Sequence, residues 1–249
     1  MTPDKTGELL LYRDGLMLVL NKPAGIAVHK GPKGGVSLED SFGALRFGLP
    51  RNPALAHRLD RETAGCLILG RHHKALEKLG LLFKQGKIGK IYWAVVEGAP
   101  ATEEGRIDIP LGKLDEARGW WMKPDPNGPP SSTTWKVMGR GGGLTWLALE
   151  PLTGRTHQIR LHLSHLRYPI AGDPVYGGRL AQPKGATERL LGALRAFKHQ
   201  ALHAARLAFD HPRSGIRLTV QSPLPADYAD LLAALREDAR EAERTAHAR

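Results

Sequence analysis

The densest group of reactive side chains is the segment HRLDRETAG, residues 57–65, which runs directly into the apolar residues 66–69. Within it Asp60 stands close to two arginines, Arg58 and Arg61. Positive neighbours keep a carboxylate ionised, and an ionised, partly desolvated carboxylate can act as a nucleophile or a general base. A structural ion-pair cluster explains the same residues equally well, because such clusters also perturb carboxylates.

A second polar group is TGRTHQIRLH, residues 153–162. A helix that begins at Thr156 would place His157, Arg160 and Ser164 on one face. The N-terminus of such a helix, with arginines nearby, also suits a phosphate group. This group therefore predicts an anion-binding helix start.

The residue patterns of several other kinds of active site are missing from the sequence or left undecided by it. The histidines His157, His162 and His165 have neither the zincin spacing with its glutamate nor a second cysteine beside Cys66, so no metal site is predicted. We expect them to be hydrogen-bonding partners of backbone or RNA. The dinucleotide, phosphate-loop and nucleophile-elbow patterns are absent from the sequence. Spacing alone does not decide whether Asp60 and Glu62 could form a glycosidase pair.

The charge balance favours a polyanionic partner. The chain of 249 residues has 36 Lys and Arg against 25 Asp and Glu, a formal net charge of +11, and a basic surface speeds encounter with nucleic acid. Solubility alone is the alternative explanation. No apolar run is long enough to span a membrane, and the single Cys66 fits a reducing compartment. We therefore expect a cytoplasmic protein with no membrane partner.

The elements that must position these groups are short strands with few helices between them, which predicts an α+β fold with a mostly antiparallel sheet. Apolar runs predict strands at residues 16–20, 67–69, 92–96, 135–137 and 144–149, the last two around a hairpin tip at 141–143. Periodicity and breakers predict helices over residues 74–83, from 156 to before Pro169, and after Pro225 with Leu231, Leu232 and Leu235 inside. Residues 123–130 are predicted to be an exposed loop.

Five segments, in order along the chain, resemble motifs of the RluA-type RNA pseudouridine synthases. They are VLNKPAG (19–25), HRLDRETAG (57–65), KIYWAVVEG (90–98), GRTHQIRLH with PIAGDPVYG (154–162 and 169–177), and QALHA with FDHP (200–204 and 209–212). The resemblance covers about residues 10–235, and five motifs in register are specific. Two departures are Ala64, where the family usually has Ser, and Arg167-Tyr168, where it usually has Gly and a polar residue.

The resemblance implies an enzyme, an isomerase that breaks the N1–C1′ bond of a uridine in RNA, turns the uracil and rejoins it through C5. It assigns Asp60 as nucleophile, attacking either base or sugar. Tyr92 resembles the residue that stacks on the flipped base and helps remove the C5 proton; by itself it would be an ordinary strand aromatic. Arg160 resembles the arginine paired with the catalytic aspartate.

Binding residues are expected around these three. Arg58 either fills the gap left by the flipped base or binds phosphate. His57, Arg61, Arg155 and His157 are the other predicted substrate-binding residues. No metal or organic cofactor is expected, because the isomerisation involves no net redox change or group transfer.

The resemblance also implies a pseudouridine synthase fold, a mostly antiparallel or mixed central β-sheet with flanking helices and a catalytic cleft. We expect an N-terminal extension (1–10), a catalytic domain (11–235) and a charged C-terminal tail (236–249). About fifteen residues precede the first motif, so the accessory RNA-binding domain common in the family is expected to be absent. The expected partner of this monomer is a stem–loop of ribosomal RNA or tRNA.

Two other function classes fit part of the sequence. An RNA-binding module without catalysis would share the basic charge, but it would not require the trio Asp60, Tyr92 and Arg160. A glycosidase for a small nucleoside would not need the net positive charge. The sequence therefore favours the RNA-modifying enzyme.

Overall fold

The computed structural model of the chain describes residues 6–31, 34–114, 121–177, 183 and 185–247. Residues 1–5 of the predicted extension and 248–249 of the predicted tail lie outside them. The chain divides into two compact units, Met1–Lys90 with His203–Pro223 and Ile91–Leu202 with Leu224–Arg249. The sequence-predicted groups fall in both, Asp60 in the first unit and Tyr92 and Arg160 in the second.

The predicted strands and helices are all found among the described residues. The strands are β1 (Leu10–Arg13), β2 (Met17–Lys22), β3 (Ala54–Leu55), β4 (Ala64–Gly70), β5 (Gly89–Glu97), β6 (Glu104–Asp108), β7 (Leu111–Lys113), β8 (Met122–Pro124), β9 (Ser132–Gly141), β10 (Leu144–Pro151), β11 (Leu202–Asp210) and β12 (Arg217–Gln221). The helices are α1 (His73–Lys84), α2 (Gln158–His165), α3 (Glu188–Ala196) and α4 (Ala226–His247), and a 3₁₀ helix covers Leu38–Leu45.

The first unit is organised around β4, all seven residues of which are buried. A strand covered on both faces is apolar throughout instead of alternating, as the sequence AGCLILG is. β4 pairs antiparallel with β2 and β3 and parallel with β11, while β1 pairs with β2 and β12 with β11. The core beside it contains Met17, Val19, Cys66, Ile68, Leu79, Ile88, Leu207, Phe209 and Val220.

The start of β4 requires a glycine. Gly65 has φ of 116°, and a Cβ at this position would lie 2.3 Å from the carbonyl oxygen of Ala204 on β11. Only glycine permits this backbone angle together with so close a strand approach. Gly65 therefore fixes where the segment that carries Asp60 joins the sheet.

The second unit has antiparallel pairing, in the order β5, β10, β9 and β6, with β7 and β8 forming a separate hairpin. α3 and α4 pack on each other, and α4 packs against β9. The predicted inner face of α4 is confirmed, since Leu231, Leu232 and Leu235 are buried.

The prediction of a loop at residues 123–130 was partly wrong, because residues 123 and 124 belong to β8. Both of these residues are exposed, as predicted.

Helix α2 begins later than predicted. Its N-cap is His157, with φ of 53°, and the first helical residue is Gln158 instead of Thr156. At its C-terminal end, Arg167 has φ of 65°, a left-handed position in which glycine is favoured. A non-glycine residue there costs about 1–2 kcal/mol, which accounts physically for the glycine usual at this position in the family that the sequence resembles.

The predicted α+β class is confirmed, with a sheet of mixed pairing and helices packed beside it. None of the helices in the described part of the chain combines the length and apolar composition that crossing a membrane would need.

Candidate active site

Asp60 lies in the connection between β3 and β4. The turn closes where the Thr63 amide donates to the carbonyl oxygen of Asp60 at 3.1 Å. Leu59 and Thr63 are buried, whereas Asp60 itself is half-buried. The carboxylate therefore sits on an anchored turn, and the strand that follows is fully buried, as the sequence predicted.

Lys22, the last residue of β2, anchors this turn. Its side chain is fully buried, and its ammonium donates to the carbonyl oxygens of Pro23 at 2.7 Å, Ile26 at 2.8 Å and Arg61 at 2.9 Å. These three bonds join the 23–26 turn to the segment that contains Asp60. Burial lowers the pKa of Lys22 to about 7, and the negative charges of Glu62 and Asp60 oppose that shift.

Two arginines flank Asp60 and reach solvent. Arg58 is exposed. Arg61 is exposed as well, and its Nε donates to the carbonyl oxygen of Gly25 at 3.1 Å and lies 3.3 Å from Oε1 of Glu62. The Gly25 amide in turn donates to the carbonyl oxygen of Arg61 at 3.0 Å. Exposed guanidinium groups on a fixed turn suit contact with RNA phosphates.

His57 has a backbone partner within the first unit. The Ile68 amide donates to its Nε2 at 3.0 Å, and its ring lies 4.7 Å from that of Phe83. Burial, reinforced by the charge of Lys90, lowers the pKa of His57 to about 4. The ring is therefore neutral near pH 7, which matches its role as acceptor, and it ties the Asp60 segment to β4.

In the second unit, Gln158 anchors the loop before α2. Its Oε1 accepts from the Thr153 hydroxyl at 2.7 Å and from the Arg155 amide at 3.0 Å, while its Nε2 donates to the carbonyl oxygen of Ser132 at 2.8 Å. The Arg155 side chain is exposed, with Nε 3.2 Å from the carbonyl oxygen of Pro130. Its predicted role in binding a phosphate stays a prediction.

His157, Arg160 and Ser164 all contact Tyr176, as a shared face would require, although His157 caps the helix instead of lying within it. The Tyr176 hydroxyl lies 2.9 Å from Nδ1 of His157, its ring centroid is 5.1 Å from Cζ of Arg160, and its carbonyl oxygen accepts from the Ser164 hydroxyl at 2.7 Å. Arg160 also forms a buried ion pair with Asp173, with 2.7 Å between Nε and Oδ2.

Tyr92 lies on β5 opposite Leu149 of β10. It is half-buried and packs against the core of the second unit. Because the side chain is only half-buried, this position fits an ordinary strand aromatic as well as a residue that stacks on a base.

His162 is buried among polar partners. Its ring nitrogens lie 3.0 Å from the hydroxyls of Ser131 and Thr133, and Nε2 is 3.1 Å from the carbonyl oxygen of Ile109. Within the described ranges, no group of three or more His, Cys, Asp or Glu side chains could hold a metal ion. His162 thus bonds to hydroxyl groups and to the backbone, and the backbone is one of the two partners expected for these histidines.

Comparison with known proteins decides the family. The family model described as RNA pseudouridylate synthase matches residues 16–165, which include the Asp60 segment, β5 and α2. The chain belongs to the RNA pseudouridine synthase family. The RluA-type resemblance is therefore confirmed, and the synthase is an isomerase that converts uridine to pseudouridine in RNA.

Individual relatives agree over most of the chain. The synthase is 39% identical over 234 residues to ribosomal large subunit pseudouridine synthase D of Pseudomonas aeruginosa, covering 92% of this chain and 72% of the relative. It is 38% identical to an uncharacterized RNA pseudouridine synthase of Zymomonas mobilis, covering 89% of this chain and 96% of the relative. The structure of human RNA pseudouridylate synthase domain containing 4 matches with a TM-score of 0.77 and 26% identity, over 94% and 95% of the two chains.

Sequence reasoning missed two side chains that organise these segments. Lys22 and Asp173 both stood inside recognised motifs, but neither was given a role. A lysine that ends the apolar strand MLVL was the available signal for Lys22, since a buried ammonium must find acceptors. Nothing comparable distinguished Asp173 from other loop aspartates.

Replacing Lys22 with methionine should reduce turnover strongly while the synthase still folds. The variant removes a donor that three backbone carbonyl oxygens share, but it also removes the desolvation penalty of the ammonium. We therefore expect a loss of about 1–3 kcal/mol in the free energy of unfolding. The larger effect should be on kcat, because a displacement of about 1 Å in a reacting group can reduce the rate about 100-fold. Urea unfolding and turnover on RNA measure the two effects.

Lys30→Met is the matched control. Lys30 pairs with Asp40 at 2.8 Å, and its side chain is 56% exposed, so its loss should change stability by about 0–1 kcal/mol and leave kcat unaltered. Equal effects of the two substitutions would show that Lys22 acts only through net charge.

Proposed function

We propose that this synthase modifies an unpaired uridine in a stem–loop of large-subunit ribosomal RNA, with Asp60 as the nucleophile. The observation that carries the RNA assignment is the 39% identity, over nearly the whole chain, to a relative named for the ribosomal large subunit. The net charge of +11 agrees with a polyanionic substrate. A loop uridine in tRNA is the alternative predicted from the sequence.

The proposed chemistry balances without a cofactor. The N1–C1′ bond breaks, the uracil turns within the site, and a C5–C1′ bond forms. C5 loses its proton and N1 gains one, so no redox equivalent or group is exchanged with a co-reactant. Asp60 supplies the attacking oxygen, and the bond that it forms to the base or the sugar breaks again before pseudouridine is released, which restores the carboxylate. Tyr92 stacks on the base and assists removal of the C5 proton, and Arg160 stabilises the charge of Asp60.

RNA contacts are proposed in both units. Arg58, Arg61 and Arg155 are exposed, which supports their assignment to phosphates. A uridine in a hairpin loop is already unpaired, so flipping it requires less free energy than extracting one from a duplex. We propose that residues 11–235 contain all these groups and bind the RNA as a monomer.

A short hairpin should therefore be modified nearly as well as the full RNA. We expect similar kcat/KM on an isolated hairpin of about 20 nucleotides and on the intact ribosomal RNA. The logarithm of the affinity should fall linearly with the logarithm of the salt concentration, by about 0.7–0.9 per phosphate contact. Release of tritium from RNA labelled at uridine C5 measures turnover directly.

The control hairpin carries cytidine in place of every loop uridine and should release no tritium. Hairpins from tRNA, tested beside those from ribosomal RNA, distinguish the two proposed substrates. Activity confined to intact RNA or assembled subunits, with none on any hairpin, would contradict recognition by a single stem–loop.

A further inference from the structure

The guanidinium of Arg160 is fixed along one edge by Asp173. Nε donates to Oδ2 at 2.7 Å and Nη2 donates to Oδ1 at 2.8 Å. The two side chains are only 7% and 1% exposed. Two parallel bonds from a planar donor to a planar acceptor define the plane of the guanidinium as well as its position.

Asp173 is itself held by its own turn. Its Oδ1 accepts from the amides of Val175 at 2.9 Å and Tyr176 at 3.2 Å, in addition to Arg160. Its backbone is anchored too, because its amide donates to Ile170 at 3.1 Å and its carbonyl oxygen accepts from Gly177 at 3.0 Å. The carboxylate therefore has a fixed orientation and cannot rotate without breaking several bonds.

Tyr176 adds a second constraint, on the face of the guanidinium. Its ring centroid lies 5.1 Å from Cζ of Arg160, within cation–π range. The ring cannot turn freely, because its hydroxyl lies 2.9 Å from Nδ1 of His157 and accepts from the Met122 amide at 3.2 Å. Asp173 thus fixes one edge of the guanidinium, and Tyr176 fixes its face.

Stability alone is a weak reason for such a pair. Burial by itself would raise the pKa of Asp173, but the hydrogen bonds and charge of Arg160 outweigh it and hold that pKa below the usual value. A buried ion pair nevertheless adds little net stability compared with apolar side chains of the same volume. Its distinctive physical effect is orientation.

We propose that Asp173 and Tyr176 are positioning residues for the isomerisation, which act by fixing the orientation of the Arg160 guanidinium. This inference rests on the proposed function, in which Arg160 stabilises the charge of Asp60. Neither Asp173 nor Tyr176 needs to touch the uridine. Loss of Asp173 should therefore impair the chemical step and leave the affinity for RNA nearly unchanged.

The test is a double-mutant cycle between Asp173→Asn and Arg160→Met. Asparagine keeps the size of the side chain and can still accept from the Val175 and Tyr176 amides, but it carries no charge for Arg160. We expect kcat to fall about 100-fold with KM little changed, the effect of a group displaced by about 1 Å. In the Arg160→Met background, Asp173→Asn should lower kcat no further, because Asp173 acts on the reaction only through Arg160.

Asp238→Asn is the matched control. Asp238 is also a buried aspartate of the second unit, and it accepts from the Thr187 amide at 2.7 Å. Its substitution should lower stability without changing kcat. If Asp173→Asn does not fold, Asp173→Glu provides the same test, because it keeps the charge but displaces the guanidinium by the length of a methylene group.

Several outcomes would overturn the inference. Folded Asp173→Asn with wild-type kcat would do so, as would losses that multiply in the double variant or a loss confined to KM. Full activity of Arg160→Met would contradict both this inference and the proposed role of Arg160. The proposed nucleophile is tested separately, because an inactive Asp60→Asn variant in the same assay would still support it.

Discussion

Asp60→Asn should fold and bind RNA but form no detectable pseudouridine. The amide has the size of the carboxylate but lacks the charge that attacks. The hydrogen bonds to the backbone carbonyl oxygens of Asp60 and Arg61 do not involve the Asp60 side chain, so the substitution leaves them in place. We expect kcat to fall by about 10⁴-fold or more, as when other enzymes lose a nucleophile. Tritium release from uridine C5 and an RNA-binding titration measure both properties.

Glu62→Gln is the matched control, because it removes one negative charge from the same turn and keeps Asp60. It should retain turnover. If Asp60→Asn kept substantial activity and Glu62→Gln lost it, the attacking carboxylate would be Glu62 and the assignment to Asp60 would be wrong.

Local pattern was enough to predict the elements that carry these groups. The apolar run of β4 and the helical spacing in α1 depend on neighbouring residues only, and burial of the two elements agrees with both patterns. The start of α2 was misplaced because Thr156 has the chemistry of an N-cap, whereas the actual cap, His157, adopts a left-handed conformation. The Tyr176 hydroxyl that contacts His157 belongs to a residue 19 positions further along the chain, so the local pattern did not reveal it.

Partners distant along the chain were beyond prediction. The resemblance supplied Asp60 as the partner of Arg160, and that pairing stays a prediction; the structure adds Asp173 as a bidentate partner. Lys22 is joined to the carbonyl oxygen of Arg61, 39 residues further along the chain. Such contacts are created by the tertiary fold, and neither composition nor periodicity encodes them.

Arg160→Met should abolish most turnover and also destabilise the protein. Without its partner, the buried carboxylate of Asp173 is left uncompensated, a change that commonly costs about 3–5 kcal/mol. An unchanged rate would remove Arg160 from the reaction.

The stability part of this prediction has its own pH dependence. The folded-state pKa of Asp173 is depressed, so its stabilising contribution is present above the pKa of the unfolded chain, about 3.9. That contribution disappears as the pH falls through the folded-state pKa. The difference in unfolding free energy between wild type and Arg160→Met should therefore be largest near pH 7 and shrink below about pH 4.

A second substitution separates stability from catalysis. Asp173→Asn in the Arg160→Met background removes the uncompensated charge and still accepts from the Val175 and Tyr176 amides, so it should restore much of the lost stability. It should not restore turnover, because the guanidinium is still missing. Urea unfolding at pH 7 and pH 4, with tritium release on one hairpin substrate, measures these effects. Recovery of both stability and turnover in the double variant would show that Arg160 only neutralises Asp173 and takes no part in the isomerisation.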